Sequence, residues 1–169
     1  MLLCNSYKNG IRNVGTTTVL RTAPYGIALL RVSLGIMYLA HSLMLKLLTF
    51  GLPGTAKFFE SVGLPGELAY LTFAAEVIGG VLLVAGIQTR WVALALTPCL
   101  AGAIVFVHGA NGWVFTAAGG GWEYPAFLLV ASIAQSLLGD GAIALMPSWS
   151  VRDRSAATRS SPDLGTPRP

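Results

Sequence analysis

Between residues 25 and 50 apolar side chains follow one another for long enough to cross a bilayer, yet one face of the run is polar or small. At about 100° per residue, Arg31, Gly35, Tyr38, Ser42, Lys46 and Thr49 fall in a narrow sector of an otherwise Leu, Ile, Val and Met helix. A helix rises about 1.5 Å per residue and the hydrocarbon core is about 30 Å thick, so the segment spans with some tilt. His41 sits on a line beside the stripe. Water is absent from the acyl region, so such a stripe faces other protein or a wet cavity, and its charges are functional candidates.

The rest of the chain alternates apolar runs with Gly and Pro punctuation. Pro24 is expected to open the first helix, where its missing N–H costs nothing, and Gly51-Leu52-Pro53-Gly54 to stop it. Gly63-Leu64-Pro65-Gly66 repeats the tetrapeptide, and residues 55–62 between them suit a short interfacial helix with Phe58, Phe59 and Val62 on one side. A second span is predicted over 67–85, carrying Glu76, with Thr72, Gly79 and Gly80 permitting close helix contact. After a tight turn at 86–90, residues 91–108 form a third span that Pro98 should kink rather than end. The loop at 109–121 holds Asn111, Trp113 and the run Gly119-Gly120-Gly121. A fourth helix follows from Trp122 to Leu138, short for a span, so residues 142–146 are expected to extend it after a break at Gly139-Asp140-Gly141. The predicted fold class is all-α: a polytopic membrane protein built as a four-transmembrane-helix bundle. A polar cytoplasmic arm with little fixed structure (1–23) precedes the membrane domain (24–146), and a disordered cytoplasmic tail (147–169) follows it.

Composition sharpens this. Of 169 residues 54% are hydrophobic and 11% charged, too little polar surface for a soluble domain. The net charge of +4 suggests nucleic acid at first sight, but seven of the eleven Lys and Arg lie in the two terminal segments, where membrane orientation explains them. Lys8, Arg12, Arg21, Arg90, Arg152, Arg154, Arg159 and Arg168 fall on one side of a four-span topology and Lys57 alone on the other. By the positive-inside rule both termini are expected to be cytoplasmic; no cleaved signal and no nucleic-acid partner are expected. Cys4 and Cys99 belong at different depths, so no disulfide is expected between them.

The same topology assigns depths to the ionisable residues. His41 and Glu76 each lie nine residues from the outer end of their helix, about 13 Å down, and Lys46 is higher. His108 and Glu123 close and open their helices at that end, and Arg31 stands nearer the cytoplasm. Arg31, His41, Lys46, Glu76, His108 and Glu123 are therefore the candidate intramembrane polar cluster. Snorkelling to the interface explains Lys46, His108 and Glu123 as well as function does. For Glu76 and His41 two readings stay open: a polar network fastening helices, or a binding or proton-handling site. Glu76 is expected either to pair with His41, Lys46 or both, or to stand alone and protonated. Trp113, Trp122 and Tyr124 form an aromatic belt. No catalytic triad, phosphate loop or Cys/His metal set is present, and catalytic residues are unassigned.

Arg31 with Gly35, His41 with Lys46, Gly63-Leu64-Pro65, Glu76 followed by Gly79-Gly80, Gly86 with Thr89-Arg90, His108, and Trp122-Glu123-Tyr124-Pro125 followed by Gly139-Asp140-Gly141 together resemble the DoxX family. The likeness covers about 25–145; a Ser-Leu-Asp ending associated with the family is replaced by Ala144-Leu145-Met146. The resemblance implies a four-helix bacterial inner-membrane protein, related to a quinone-linked oxidoreductase subunit and to membrane complexes of redox or thiol-stress defence. Any enzymatic role would then be that of a membrane subunit, with quinone as ligand and a partner protein carrying electrons. The alternative class is a non-enzymatic assembly partner or small-solute permeation protein.

Overall fold

The computed structural model describes residues 2–148, with side chains from residue 21. Five α-helices carry the fold: α1 (Leu2–Ala40), α2 (Gly51–Ser61), α3 (Glu67–Ala85), α4 (Thr89–Gly102) and α5 (Glu123–Leu138). A π-helical segment, His41–Thr49, prolongs α1; a second, Ala103–His108, prolongs α4 and ends in a 3₁₀ turn, Gly109–Asn111. Arg21–Thr49, Glu67–Ala85 and Thr89–Asn111 are each long and apolar enough to cross a membrane, and Glu123–Leu138 is a shorter apolar helix. α1 packs against α3 and α5, and α4 against the same two helices, which closes a four-membered ring. Leu34, Tyr38, Leu83, Ala93, Leu96, Leu100 and Ala131 fill its centre. Leu29, Ile78, Phe127 and Leu137 point outward and are largely exposed, as they are on helices solvated by lipid. The chain is an all-α, polytopic membrane protein.

Local chemistry explains why the helices sit as they do. α1 and α3 meet backbone to backbone: a Cβ on Gly35 would lie 2.8 Å from the Gly80 carbonyl oxygen, and one on Gly80 would lie 3.0 Å from that of Gly35. Gly79, next to Gly80, gives the Leu96 side chain of α4 the same close approach. α3 ends at Gly86, whose φ of +72° turns the chain while Ile87 N–H bonds to Leu82 O at 2.9 Å. α4 runs through Pro98 without ending. The carbonyl that Pro98 cannot bond, that of Leu94, accepts the Thr97 hydroxyl at 2.7 Å instead.

Four features depart from the sequence expectation. α1 begins at Leu2, so Pro24 lies inside it and residues 2–23 are helical, continuous with the first span rather than an arm of little fixed structure. The helix changes register at His41: Phe50 N–H bonds Leu45 O at 3.1 Å and Thr49 Oγ1 bonds Met44 O at 2.7 Å, each five residues back. The first Gly-Leu-Pro-Gly opens α2 instead of only stopping the first span. Residues 142–146 do not extend α5; they return as a bent, irregular segment, with Met146 N–H on Gly86 O at 3.1 Å and Gln88 N–H on Met146 O at 2.9 Å. The open backbone of the 86–88 turn, left by the glycine cap, provides those partners. Of the tail expected to be disordered, Pro147 and Ser148 are described and bonded to that turn. Residues 149–169 lie outside the described residues.

Candidate functional site

The stripe read along the first span is the buried face of that helix: Arg31, Gly35, Tyr38, Ser42 and Lys46 are all buried, and Thr49 is exposed. Because Gly35 and Gly80 let α1 and α3 approach, Glu76, one turn before Gly80, reaches the stripe. Lys46 Nζ donates to Glu76 Oε2 at 2.7 Å, and Ser42 Oγ donates to the same oxygen. His41 Nδ1 is 3.8 Å from it, beyond direct hydrogen bonding and within reach of a bridging water. The Lys46 and Glu76 side chains are 10% and 8% exposed, whereas His41 is 49% exposed, so the buried pair has one titratable neighbour at the helix surface. Thr55 Oγ1 of α2 donates to Lys46 O at 3.0 Å and ties the short helix to this site. A charged pair in low dielectric persists only when each ion is met by its partner and by hydrogen bonds, and the Ser42 hydroxyl adds one.

The other three sequence candidates are placed elsewhere. Arg31 is 2% exposed at the opposite end of the stripe, where its Nη1 donates to Asp140 O at 2.7 Å and its Nη2 to Ile143 O at 3.0 Å. It does not stand alone, because the chain after α5 folds back over it. His108 Nδ1 is 2.9 Å from Gly120 O, and Asn111 Nδ2 donates to the Gly119 and Gly120 carbonyls, so His108 helps hold the glycine turn. Glu123 opens α5 beside an open apolar groove of about 650 Å³ lined by Trp113, Trp122 and Tyr124, with the two tryptophans edge to face at 4.4 Å. Shared depth did not bring His108 and Glu123 to the pair, because their helices carry them around different sides of the ring, and Arg31 shares the face of Lys46 but not its depth.

The sequence reading missed two groups. Asp140 organises the far end: Oδ1 accepts Thr89 N–H at 3.1 Å and Ser148 Oγ–H at 2.9 Å, and Oδ2 accepts Ser148 N–H at 2.8 Å. Ser148 Oγ also accepts Arg90 N–H at 3.1 Å. The first N–H groups of α4 are thus capped by side chains from beyond α5. Burial pushes the Asp140 carboxyl up, but the hydrogen bonds from Ser148 and Thr89 outweigh it and hold the group below its ordinary range. The second group is inside the ring: Tyr38 Oη and Ser132 Oγ are 3.0 Å apart, and Gln135, one turn on from Ser132, donates to Gly139 O at 2.6 Å. Tyr38 was visible as a stripe position, but Ser132 and Gln135 look like isolated polar interruptions of an apolar helix.

These features define a helical membrane protein with a charged pair buried between its first and second spans. The sequence model of the DoxX family matches residues 26–109, which contain that pair. The chain is 38% identical over 122 residues to the protein named "Putative oxidoreductase CatD" of Bacillus subtilis (strain 168), covering 72% of this chain and 85% of the relative. The chain belongs to the DoxX family. No solved structure matches it.

Proposed function

We propose that this protein is a bacterial inner-membrane subunit of an oxidoreductase, with both termini cytoplasmic, and that its Lys46–Glu76–His41 group receives a quinone headgroup. The supporting observation is the buried Lys46–Glu76 pair at 2.7 Å with half-exposed His41 beside it. The donor set fits the ligand. A quinone carbonyl needs a hydrogen-bond donor, which Lys46 or protonated His41 supplies, and Glu76 is a carboxylate able to hold or pass a proton. When bound, a quinone supplies two-electron, two-proton redox chemistry. The chain's own part is to orient the headgroup and manage protons, while electrons come from a partner protein. The oxidoreductase name of the Bacillus relative supports the same class.

The test is quinone content. Full-length protein extracted with native lipid should retain quinone in near-stoichiometric amount, and Lys46→Ala should lose most of it. A flavin or haem protein should co-purify. Folded wild-type protein that carries no quinone and no redox partner would overturn the reading in favour of a non-enzymatic assembly or permeation role.

A further inference from the structure

The buried polar side chains of the ring are not scattered. Taken along the bundle they run from Gln135 to Ser132 on α5, across to Tyr38 on α1, then to Ser42 and Glu76, and out to His41. Gln135, Ser132 and Ser42 are fully buried, and Tyr38 and Glu76 are 5% and 6% exposed. We propose that this series is a proton path joining the Asp140 end of the bundle to Glu76 and His41.

Two crossings between helices are direct hydrogen bonds: Tyr38 Oη with Ser132 Oγ at 3.0 Å, and Ser42 Oγ with Glu76 Oε2. Of the three remaining steps, two run along single helices, where Ser132 and Gln135 are three residues apart and Tyr38 and Ser42 four, and the third crosses from Glu76 to His41; the proposed path carries the proton over each of them through water. The series lies between Arg31 and Lys46, which are fifteen residues or about 22 Å apart along the first span, and itself advances about half that distance. Helix fastening alone would be served by any single pair. A succession of three hydroxyls, each able to accept and donate, and a carboxylate that accepts a proton and can then give it up is what proton transfer requires.

The entrance carries its own signature. Arg31 Nε, Thr89 Oγ1 and Gln135 Oε1 are buried without a hydrogen-bond partner among the described residues. All three residues bond to the same short segment: Gln135 to Gly139 O, Arg31 to Asp140 O, and Thr89 through its N–H to Asp140 Oδ1. Buried polar atoms take partners, so three such atoms on residues bonded to one segment suit water rather than an apolar filling there. The Arg31 charge disfavours an approaching proton, and the Asp140 carboxylate, on the residue whose carbonyl Arg31 holds, opposes that effect.

The transfer balances without electrons. A proton arriving at Ser132 binds its oxygen as Ser132 releases its own to Tyr38; Tyr38 releases one through water to Ser42, and Ser42 to Glu76. Glu76 becomes neutral, Lys46 keeps its charge, and the hydroxyls reset by rotation. Glu76 then gives the proton through water to His41 Nδ1, 3.8 Å away, where the series ends. The path leads to the site proposed above as a quinone site but operates without quinone.

The experiment uses full-length protein in phosphatidylethanolamine and phosphatidylglycerol vesicles containing a trapped pH dye, with a potassium diffusion potential as driving force. Proton entry should exceed that of protein-free vesicles. Tyr38→Phe and Ser132→Ala should each lower it about a hundredfold, the lower end of the range for a lost proton-transfer group. Ser132→Thr, which keeps a hydroxyl, should retain it, and Ser33→Ala on the exposed face should leave it unchanged. Flux equal to that of protein-free vesicles, or wild-type flux in Tyr38→Phe or Ser132→Ala, overturns the path; if Tyr38→Phe does not fold, the Ser132 pair decides. Quinone content of the same preparation is read separately. Flux without quinone removes the quinone reading and keeps the path, and quinone without flux does the reverse.

Discussion

Glu76 accepts two hydrogen bonds and faces a cation, so substitutions there separate the loss of charge from the loss of a partner. Glu76→Gln keeps an oxygen that Lys46 and Ser42 can still reach and should cost about 1–2 kcal/mol. Glu76→Ala leaves the Lys46 ammonium buried and alone, which costs about 3–5 kcal/mol. Thermal unfolding in lipid nanodiscs should rank wild type, Gln and Ala in that order; an alanine variant as stable as the glutamine one would show that the pair contributes nothing. Asp140 responds to pH. Its folded pKa lies below the ordinary carboxylate value, so its contribution is fully present above about pH 4 and is lost as pH falls through the folded value. Asp140→Asn should remove that acid sensitivity, because an amide does not titrate, while leaving Ser148 N–H without its charged acceptor; hydrogen exchange at the α4 N-terminus measures both. The two residues were not equally legible. A carboxylate and a lysine inside apolar runs must find each other or neutralise, so the Glu76 pair could be anticipated from the sequence. Asp140 lies between glycines after a helix, and its partners Thr89 and Ser148 are 51 and 8 residues away, a separation that no local pattern encodes.

Helix contacts rest on a few small residues and one hydroxyl. A Cβ at Gly35 meets backbone, the Gly80 oxygen at 2.8 Å and Val84 N at 3.0 Å, and backbone cannot rotate away as a side chain can. Gly35→Ala should therefore destabilise by about 1–3 kcal/mol and loosen the Lys46–Glu76 contact, whereas Gly102→Ala, with nothing within 4 Å, should be neutral or stabilising. Paired melting measurements check this, and equal effects at the two glycines would contradict the close α1–α3 approach. The bounds of α3 could be read from its glycine punctuation, and α5 begins within one residue of its predicted start. The π-helical segments could not. Apolar periodicity reports which face is buried, and Ser42 and Lys46 stay on the buried face whether the backbone bonds four or five residues back. Pro98 was legible as a tolerated proline, but its remedy, the Thr97 hydroxyl on Leu94 O, depends on a rotamer and not on spacing.

For the whole molecule, the ring order α1, α3, α4, α5 brings the start of the first span and the segment after α5 together: Ala142 N–H bonds Pro24 O at 2.8 Å, and Arg90 in the first turn of α4 bonds Ser148. Arg21, Arg31 and Arg90 thus belong to one end of the bundle, and Lys57, on α2, to the other. Four apolar runs were legible and became three helices long and apolar enough to cross a membrane and a shorter fourth, but the neighbours of each helix were not legible, because every run is apolar on more than one side and lipid and protein are equally good solvents for leucine. The asymmetry of charge supports the proposed orientation. Lysine and arginine near membrane ends are retained on the cytoplasmic side, and eight of them share the side of the termini in the proposed topology against Lys57 alone opposite. Reporter fusions at Gly10 and after Ser148 should be active only as cytoplasmic reporters, and fusions at Gly54 and Gly112 only as periplasmic ones. Arg90→Glu should leave this pattern unchanged, since seven basic residues remain on that side and acidic residues contribute little to orientation. A periplasmic signal from either terminus would reverse the orientation, and opposite signals from the two termini would mean that α5 does not cross the membrane.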